Sequence, residues 1–303
     1  MMKIFRHKAY FIGIHVLLFI SLFVTLYAYS PSIRVKVKGI IDPPDNVSTI
    51  AHRGASGYAP ENTMPAFELA LEMKSDYIEL DIHLTKDHIP VVIHDETVNR
   101  TTNGKGYVRN MTLAQIRRLD AGSWFNEAYP MFAREKYAAT PIPTLDEVFD
   151  TFGKNIGYIL EIKDSTNETN IESLLNEYIM KYELENVVSI HSFSRASLRK
   201  FHTINPEIPL YQLVWNDYSE VRVSASFLKD VKSYAVGISP NFHGITSAYV
   251  AQLKRAGLKV MPYTVNYQLN MNKAYLWGVD GVYTNFPDRF LEVIETNRKN
   301  AKW

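Results

Sequence analysis

From Ser48 onward, short runs of β-branched and aromatic residues alternate with stretches whose apolar positions recur at helical spacing. The strand-like runs are STIAH, YIELDI, PVVIHD, YILEI, VVSIH, PLYQLV, AVGIS, KVMPYTV and GVYTN, and segments such as MPAFELALEM and ESLLNEYIMKY lie between them. Such alternation predicts a largely parallel sheet with helices outside it, hence an α/β fold. The nine runs exceed by one the strands of a TIM (β/α)8 barrel. Only HLTKDHI separates the second run from the third. That interval is too short for a parallel crossover, so the two are expected to form a hairpin turning near Asp87. Asp81 then falls roughly opposite His94, and eight strands remain for the barrel. The stretch from about residue 97 to 152 is long for one connection and contains TTNGKG, MTLAQIRRLDAG and TPIPTLDEVF. It is expected to be a small insertion on one face of the barrel.

A different pattern precedes the barrel. Residues 9–28 read AYFIGIHVLLFISLFVTLYA, with no charged residue apart from the titratable His15. As a helix this spans roughly 30 Å of hydrocarbon, and Tyr10, Tyr27 and Tyr29 suit its interfacial ends. The run is long for a signal-peptide core, and LYAYSPS is a poor cleavage site, so an uncleaved anchor is favoured over a leader. The expected organisation is a short tail (1–8), a transmembrane anchor (9–29), a Pro-punctuated linker (30–47) and the barrel (48–303). A short leading tail and a large trailing domain favour a single-pass protein whose catalytic domain is extracytoplasmic. Arg34, Lys36 and Lys38 beyond the anchor match Lys3, Arg6 and Lys8 before it, so loop charge alone does not fix the orientation.

The 33 basic and 32 acidic residues balance, which argues against nucleic acid as a partner. The absence of Cys excludes thiolate zinc sites, thiol nucleophiles and disulfides.

Polar residues recur at the C-terminal ends of the strands: AHRG, ELD, IHD and LEIK. In an α/β barrel these ends converge on the mouth, where active sites lie. Glu79 and Asp81, one residue apart, project from the same strand face, and Glu161 adds a third carboxylate. Like charges that close either raise their pKa values or share a cation, and an all-oxygen set suits Ca²⁺ or Mg²⁺. The alternative is pairing with Arg53 and Lys163. His52 and His94, each at a strand end beside the carboxylates, form a natural acid–base pair. Arg53 and Lys163 would balance charge on phosphoryl oxygens. His191, Trp124, Phe125, Trp215, Phe242 and Tyr263 are smaller candidates, with core packing the default for most.

These residues sit in motifs that resemble the glycerophosphodiester phosphodiesterases. HRG at 52–54, ENT at 61–63, ELD at 79–81, VIHD at 92–95, RTTNGKG at 100–106 and LDAGSWF at 119–125 carry the likeness. IPTLDEVF at 142–149, LEIK at 160–163, HSFS at 191–194, YTVN at 263–266 and GVDGVYTNFP at 278–287 extend it to about residue 290. The resemblance implies a TIM barrel that hydrolyses glycerophosphodiesters to glycerol 3-phosphate and an alcohol with one divalent cation. It implies His52 and His94 as the catalytic pair, Glu79, Asp81 and Glu161 as metal ligands, and Arg53 and Lys163 as phosphate contacts. Glu61 would act as a metal-shell or hydrogen-bonding residue. Tyr263 and Asn285 depart from the family's usual Trp and Asp, and both are expected near the glycerol or headgroup end.

The mechanism expected on this basis is attack by a glycerol hydroxyl on phosphorus, giving a cyclic phosphate that water then opens. Lysophospholipase-D-like cleavage of lipid headgroups and a non-catalytic headgroup-binding barrel are the competing functions. The oligomeric state is open.

Overall fold

The computed structural model describes residues 46–163, 170–215 and 223–300. The predicted tail, anchor and nearly all of the linker lie outside these residues. Among the described residues, no helix is long and apolar enough to cross a membrane.

All nine predicted strands form: β1 (Ser48–Ala51), β2 (Tyr77–Leu84), β3 (Pro90–Val92), β4 (Gly157–Ile162), β5 (Val188–Ser192), β6 (Leu210–Val214), β7 (Gly237–Pro240), β8 (Lys259–Val260) and β9 (Gly281–Thr284). Eight are parallel, in the order β8-β7-β6-β5-β4-β2-β1-β9, and β3 pairs with β2 alone. β8 is short because Pro262 has no N–H to give the ladder. The chain beyond it still closes the barrel: Tyr263 donates its N–H to Pro240, Val265 to Tyr283, and Tyr283 to Pro262. The result is a nearly closed TIM-like barrel.

Ten α-helices are described, labelled in chain order: α1 (Met64–Glu72), α2 (Leu113–Ile116), α3 (Ser123–Ala128), α4 (Leu145–Phe152), α5 (Ile171–Lys181), α6 (Arg195–Ile204), α7 (Ala225–Val231), α8 (Ser247–Arg255), α9 (Gln268–Leu276) and α10 (Pro287–Asn300). Strand parity divides the packing into two layers. Ile78, Leu80, Ile82, Leu160, Ile162, Ile190 and Val282 face outward, joining helix residues such as Phe67, Phe149, Phe201 and Phe290 in the main core. Ile50, Ile159, Tyr211, Met261 and Tyr283 fill the barrel interior. Glu79 and Asp81 alternate with the outward set on β2, and Glu161 does so on β4, so the pleat itself turns all three carboxylates inward.

The hairpin is antiparallel, as the short interval requires, with Thr85 and Ile89 closing its turn. Its register differs by one residue from the expected one. Ile93 donates its N–H to the Asp81 carbonyl, so His94 follows one step beyond the pair. Left-handed His88 (φ 60°) is the bend that sets this alignment. Within 97–152, α4 belongs to the main barrel core through Leu145, Val148, Phe149 and Phe152. A separate small cluster of Val91, Ile93, Val98, Val108, Ile116, Ala121 and Ile142 stands under the loops.

Candidate active site

The site begins where β1 ends. Arg53 (φ 59°) and Gly54 (φ 79°) take successive left-handed conformations, turning the chain sharply at HRG. A Cβ on Gly54 would lie 2.7 Å from backbone atoms of Ala66, so the glycine permits α1 to pack against the turn. In this turn the Arg53 N–H donates to Glu79 Oε2 at 2.9 Å.

Asp81 and Glu161 are register partners on adjacent parallel strands, and Glu79 lies two residues below Asp81. One carboxylate oxygen from each of the three lies within 4.8 Å of the others. Burial, reinforced by Asp81 and Glu161, pushes the Glu79 carboxyl well above its ordinary pKa. Burial likewise raises Glu161 to about 7, against the opposing charge of Lys163. Against the cost of burial, Lys163 and Arg53 hold Asp81 well below the usual carboxylate range. Asp81 Oδ1 is buried without a hydrogen bond among the described residues, although the Lys163 ammonium lies 3.1 Å away as an ion pair. Three crowded carboxylates, two resisting ionisation, with an unsatisfied oxygen among them, fit a hard divalent cation.

The two cations expected at phosphate are at the centre, but tied to carboxylates. Lys163 donates to Glu161 Oε1 at 2.6 Å, while Arg53 donates to Glu61 Oε1 at 2.8 Å and lies 3.3 Å from Asp81. The pairing alternative weighed from sequence is thus present for Asp81 and Glu161, and it coexists with the cluster. Glu61 is gripped by two arginines, Arg53 and Arg100, and lies outside the triad. Although burial raises its pKa, those arginines hold it lowered.

Each histidine is backed by a side chain that sequence reasoning did not assign to it. His52 Nδ1 lies 2.8 Å from Asn285 Oδ1. Asn285 therefore stands behind the ring and is not among the residues lining the cleft. Burial and the Arg53 charge drive the His52 pKa down to about 3. His94 Nδ1 lies 2.6 Å from Asp95 Oδ1. Burial lowers the His94 pKa as well, with Asp81 opposing the shift. Asn62 is another missed residue: it is buried in a left-handed conformation (φ 56°) and donates to Asp81 Oδ2 at 2.7 Å. Its signal was adjacency to Glu61 in ENT.

The cleft above these groups, about 430 Å³, has a charged wall and an apolar one. His52, Arg53, Glu79, His94, Glu161 and Lys163 form the first; Phe193, Leu213, Trp215 and Tyr263 form the second. Trp124, Phe125 and Phe242 do not line it; Phe125 and Phe242 are buried elsewhere. His191 is sealed inside the barrel and Tyr283 lies 2.6 Å from its Nδ1.

Two imidazoles facing a carboxylate cluster at the C-terminal mouth of an eight-stranded barrel are the arrangement of a barrel hydrolase. The sequence profile of the glycerophosphoryl diester phosphodiesterase family matches residues 52–289. A glycerophosphodiester phosphodiesterase of Bacillus subtilis (strain 168) is 44% identical over 262 residues, covering 84% of this chain and 89% of that relative. Among solved structures, an Oleispira antarctica phosphodiesterase in complex with the product sn-glycerol-3-phosphate superposes with TM-score 0.73 at 28% identity, covering 82% of this chain and 96% of that one. A Silicibacter pomeroyi protein described as a putative glycerophosphoryl diester phosphodiesterase superposes with TM-score 0.75 at 26% identity, over 86% of this chain and 97% of the other. The chain belongs to the glycerophosphoryl diester phosphodiesterase family, and it is an enzyme of the phosphoric diester hydrolase class.

Proposed function

We propose that this enzyme hydrolyses glycerophosphodiesters to sn-glycerol 3-phosphate and an alcohol, with one Ca²⁺ or Mg²⁺ held by Glu79, Asp81 and Glu161. The observation that supports this reading most is the grouping of three carboxylate oxygens within 4.8 Å in a cleft lined by both histidines. A bound cation would supply charge stabilisation to the phosphoryl oxygens and acidify a coordinated hydroxyl. His52 and His94 divide the proton transfers. One takes the proton of the attacking glycerol hydroxyl as its oxygen bonds to phosphorus. The other delivers a proton to the departing alcohol oxygen. Water then opens the cyclic phosphate with the two roles reversed. Arg53 and Lys163 offset the charge gathering on phosphorus.

The N-terminal apolar segment supports placing the enzyme on a membrane tether with its barrel outside, a reading that rests on sequence alone. A second substrate reading, lysophospholipid headgroup cleavage, is favoured by the exposed Phe193 and Trp215 on the apolar wall. Both readings are tested by measuring glycerol 3-phosphate from glycerophosphocholine and lysophosphatidate from lysophosphatidylcholine, with and without each cation. Exclusive turnover of the lysolipid would replace the first reading with the second. Absence of cation dependence would remove the metal from both.

A further inference from the structure

The RTTNGKG motif has no part in the chemistry above, yet its first residue reaches the site. The loop it forms is closed by a bridge between Thr97 and Tyr107 and by the Val98 N–H donating to Gly106. Inside it, Gly106 N–H donates to Asn99 Oδ1 and Thr102 Oγ1 donates to the Val98 carbonyl. Buried Val98 fastens the loop to the small cluster beneath it. Arg100 extends from this platform, and its guanidinium serves two carboxylates at once. Nε and Nη2 donate to Asp95 at 2.8 and 3.0 Å. Nη1 and Nη2 donate to Glu61 at 2.9 and 2.8 Å.

Asp95 Oδ1 is the carboxylate oxygen against His94 Nδ1. The Arg100 hydrogen bonds hold its carboxyl well below the usual range, so it is ionised and can only accept. His94 Nδ1 must therefore carry the proton in this 2.6 Å contact, and the neutral ring is left with a bare Nε2 as its second nitrogen. His94 itself lines the cleft. We propose that Arg100 is a positioning residue for catalysis: by locking Asp95 against Glu61, it fixes the tautomer and orientation of His94. Only a planar fork can do this, because a lysine presents one point charge where two bidentate contacts are made. Glu61 then serves as the fixed end of the lock, itself held from the other side by Arg53.

The inference rests on His94 being a proton-transfer group, so the experiment includes His94→Ala as a separate arm. The full-length protein is assayed on glycerophosphocholine as wild type, Asp95→Asn, Arg100→Ala, Arg100→Lys and the Asp95→Asn/Arg100→Ala double variant. In Asp95→Asn the amide can donate to Nδ1 and favour the other tautomer, so kcat should fall by about 10²-fold or more with KM within about twofold. Arg100→Ala should lose about tenfold or more in kcat with KM similarly unmoved, and Arg100→Lys should recover little of it. The double variant should be no worse than Asp95→Asn, since both changes act through one ring. Added guanidinium should restore turnover to Arg100→Ala and leave Asp95→Asn unchanged. A lock that merely holds the loop would lower thermal stability without these effects. Wild-type kcat in Asp95→Asn or Arg100→Ala, or losses that multiply in the double variant, would overturn the proposal. Full activity in His94→Ala would instead overturn the catalytic reading on which it rests.

Discussion

Asp81 and Glu161 are direct partners on neighbouring parallel strands, their side chains turned into the barrel by the pleat. Two carboxylates at that spacing, with Glu79 beside them, form an electrostatic arrangement that a divalent cation relieves. Binding should therefore stabilise the fold. At a cation concentration about 100 times Kd the gain is about 2.7 kcal/mol, which for a domain of this size raises Tm by roughly 5–10 °C. Thermal scans of wild type and Glu161→Gln with and without Ca²⁺ or Mg²⁺ check this. The shift should disappear in the variant, and an equal shift in both would place the cation elsewhere.

Replacing either imidazole tests the division of labour. His52→Ala and His94→Ala should each reduce turnover by about 10²–10⁴-fold, the usual worth of a positioned proton-transfer group. Circular dichroism and Tm should remain near wild type. A variant that keeps wild-type turnover removes that residue from the chemistry.

His191 carries a pH dependence of stability unconnected with catalysis. Burial holds its pKa at about 3, against 6.5 for the free side chain. Below pH 6.5 the unfolded chain takes up a proton that the folded chain refuses until about pH 3. Its contribution is thus fully present above 6.5 and is lost as pH falls, at about 1.4 kcal/mol per pH unit. Urea unfolding at pH 6.5, 5.5 and 4.5 should show a shallower loss for His191→Gln than for wild type. Identical slopes would mean that the buried ring does not govern the effect.

Gly54→Ala strains the HRG turn twice, through its left-handed backbone and through the 2.7 Å approach to Ala66. It should cost about 1–3 kcal/mol of stability. Because the turn carries His52 and the Arg53 N–H to Glu79, turnover should fall as well. Unchanged Tm and kcat would show that the turn tolerates a side chain.

The strands and the inward triad were legible because both follow from local pattern: β-branched runs set the strands, and period-two alternation sets the face. The site's polar supports were not, because they depend on which residues tertiary structure brings together. Arg100 meets Glu61 across 39 positions, and Asn285 meets His52 across 233. Asp95 adjoins His94 in sequence, but only the bend after β3 turns its carboxylate back onto Nδ1. The one-residue register difference at Asp81 has the same origin, since turn geometry at His88 decides it and the hydrophobic pattern cannot.

The most direct test of metal-assisted turnover at this site is glycerol 3-phosphate release from glycerophosphocholine by chelator-treated full-length enzyme. Wild type and Asp81→Asn are compared before and after Ca²⁺ or Mg²⁺ is restored. Wild type should be silent when stripped and recover on addition of cation, whereas Asp81→Asn should stay at least about 100-fold below it. Full-rate release from the stripped wild type, or cation-restored wild-type rates in Asp81→Asn, would contradict the account.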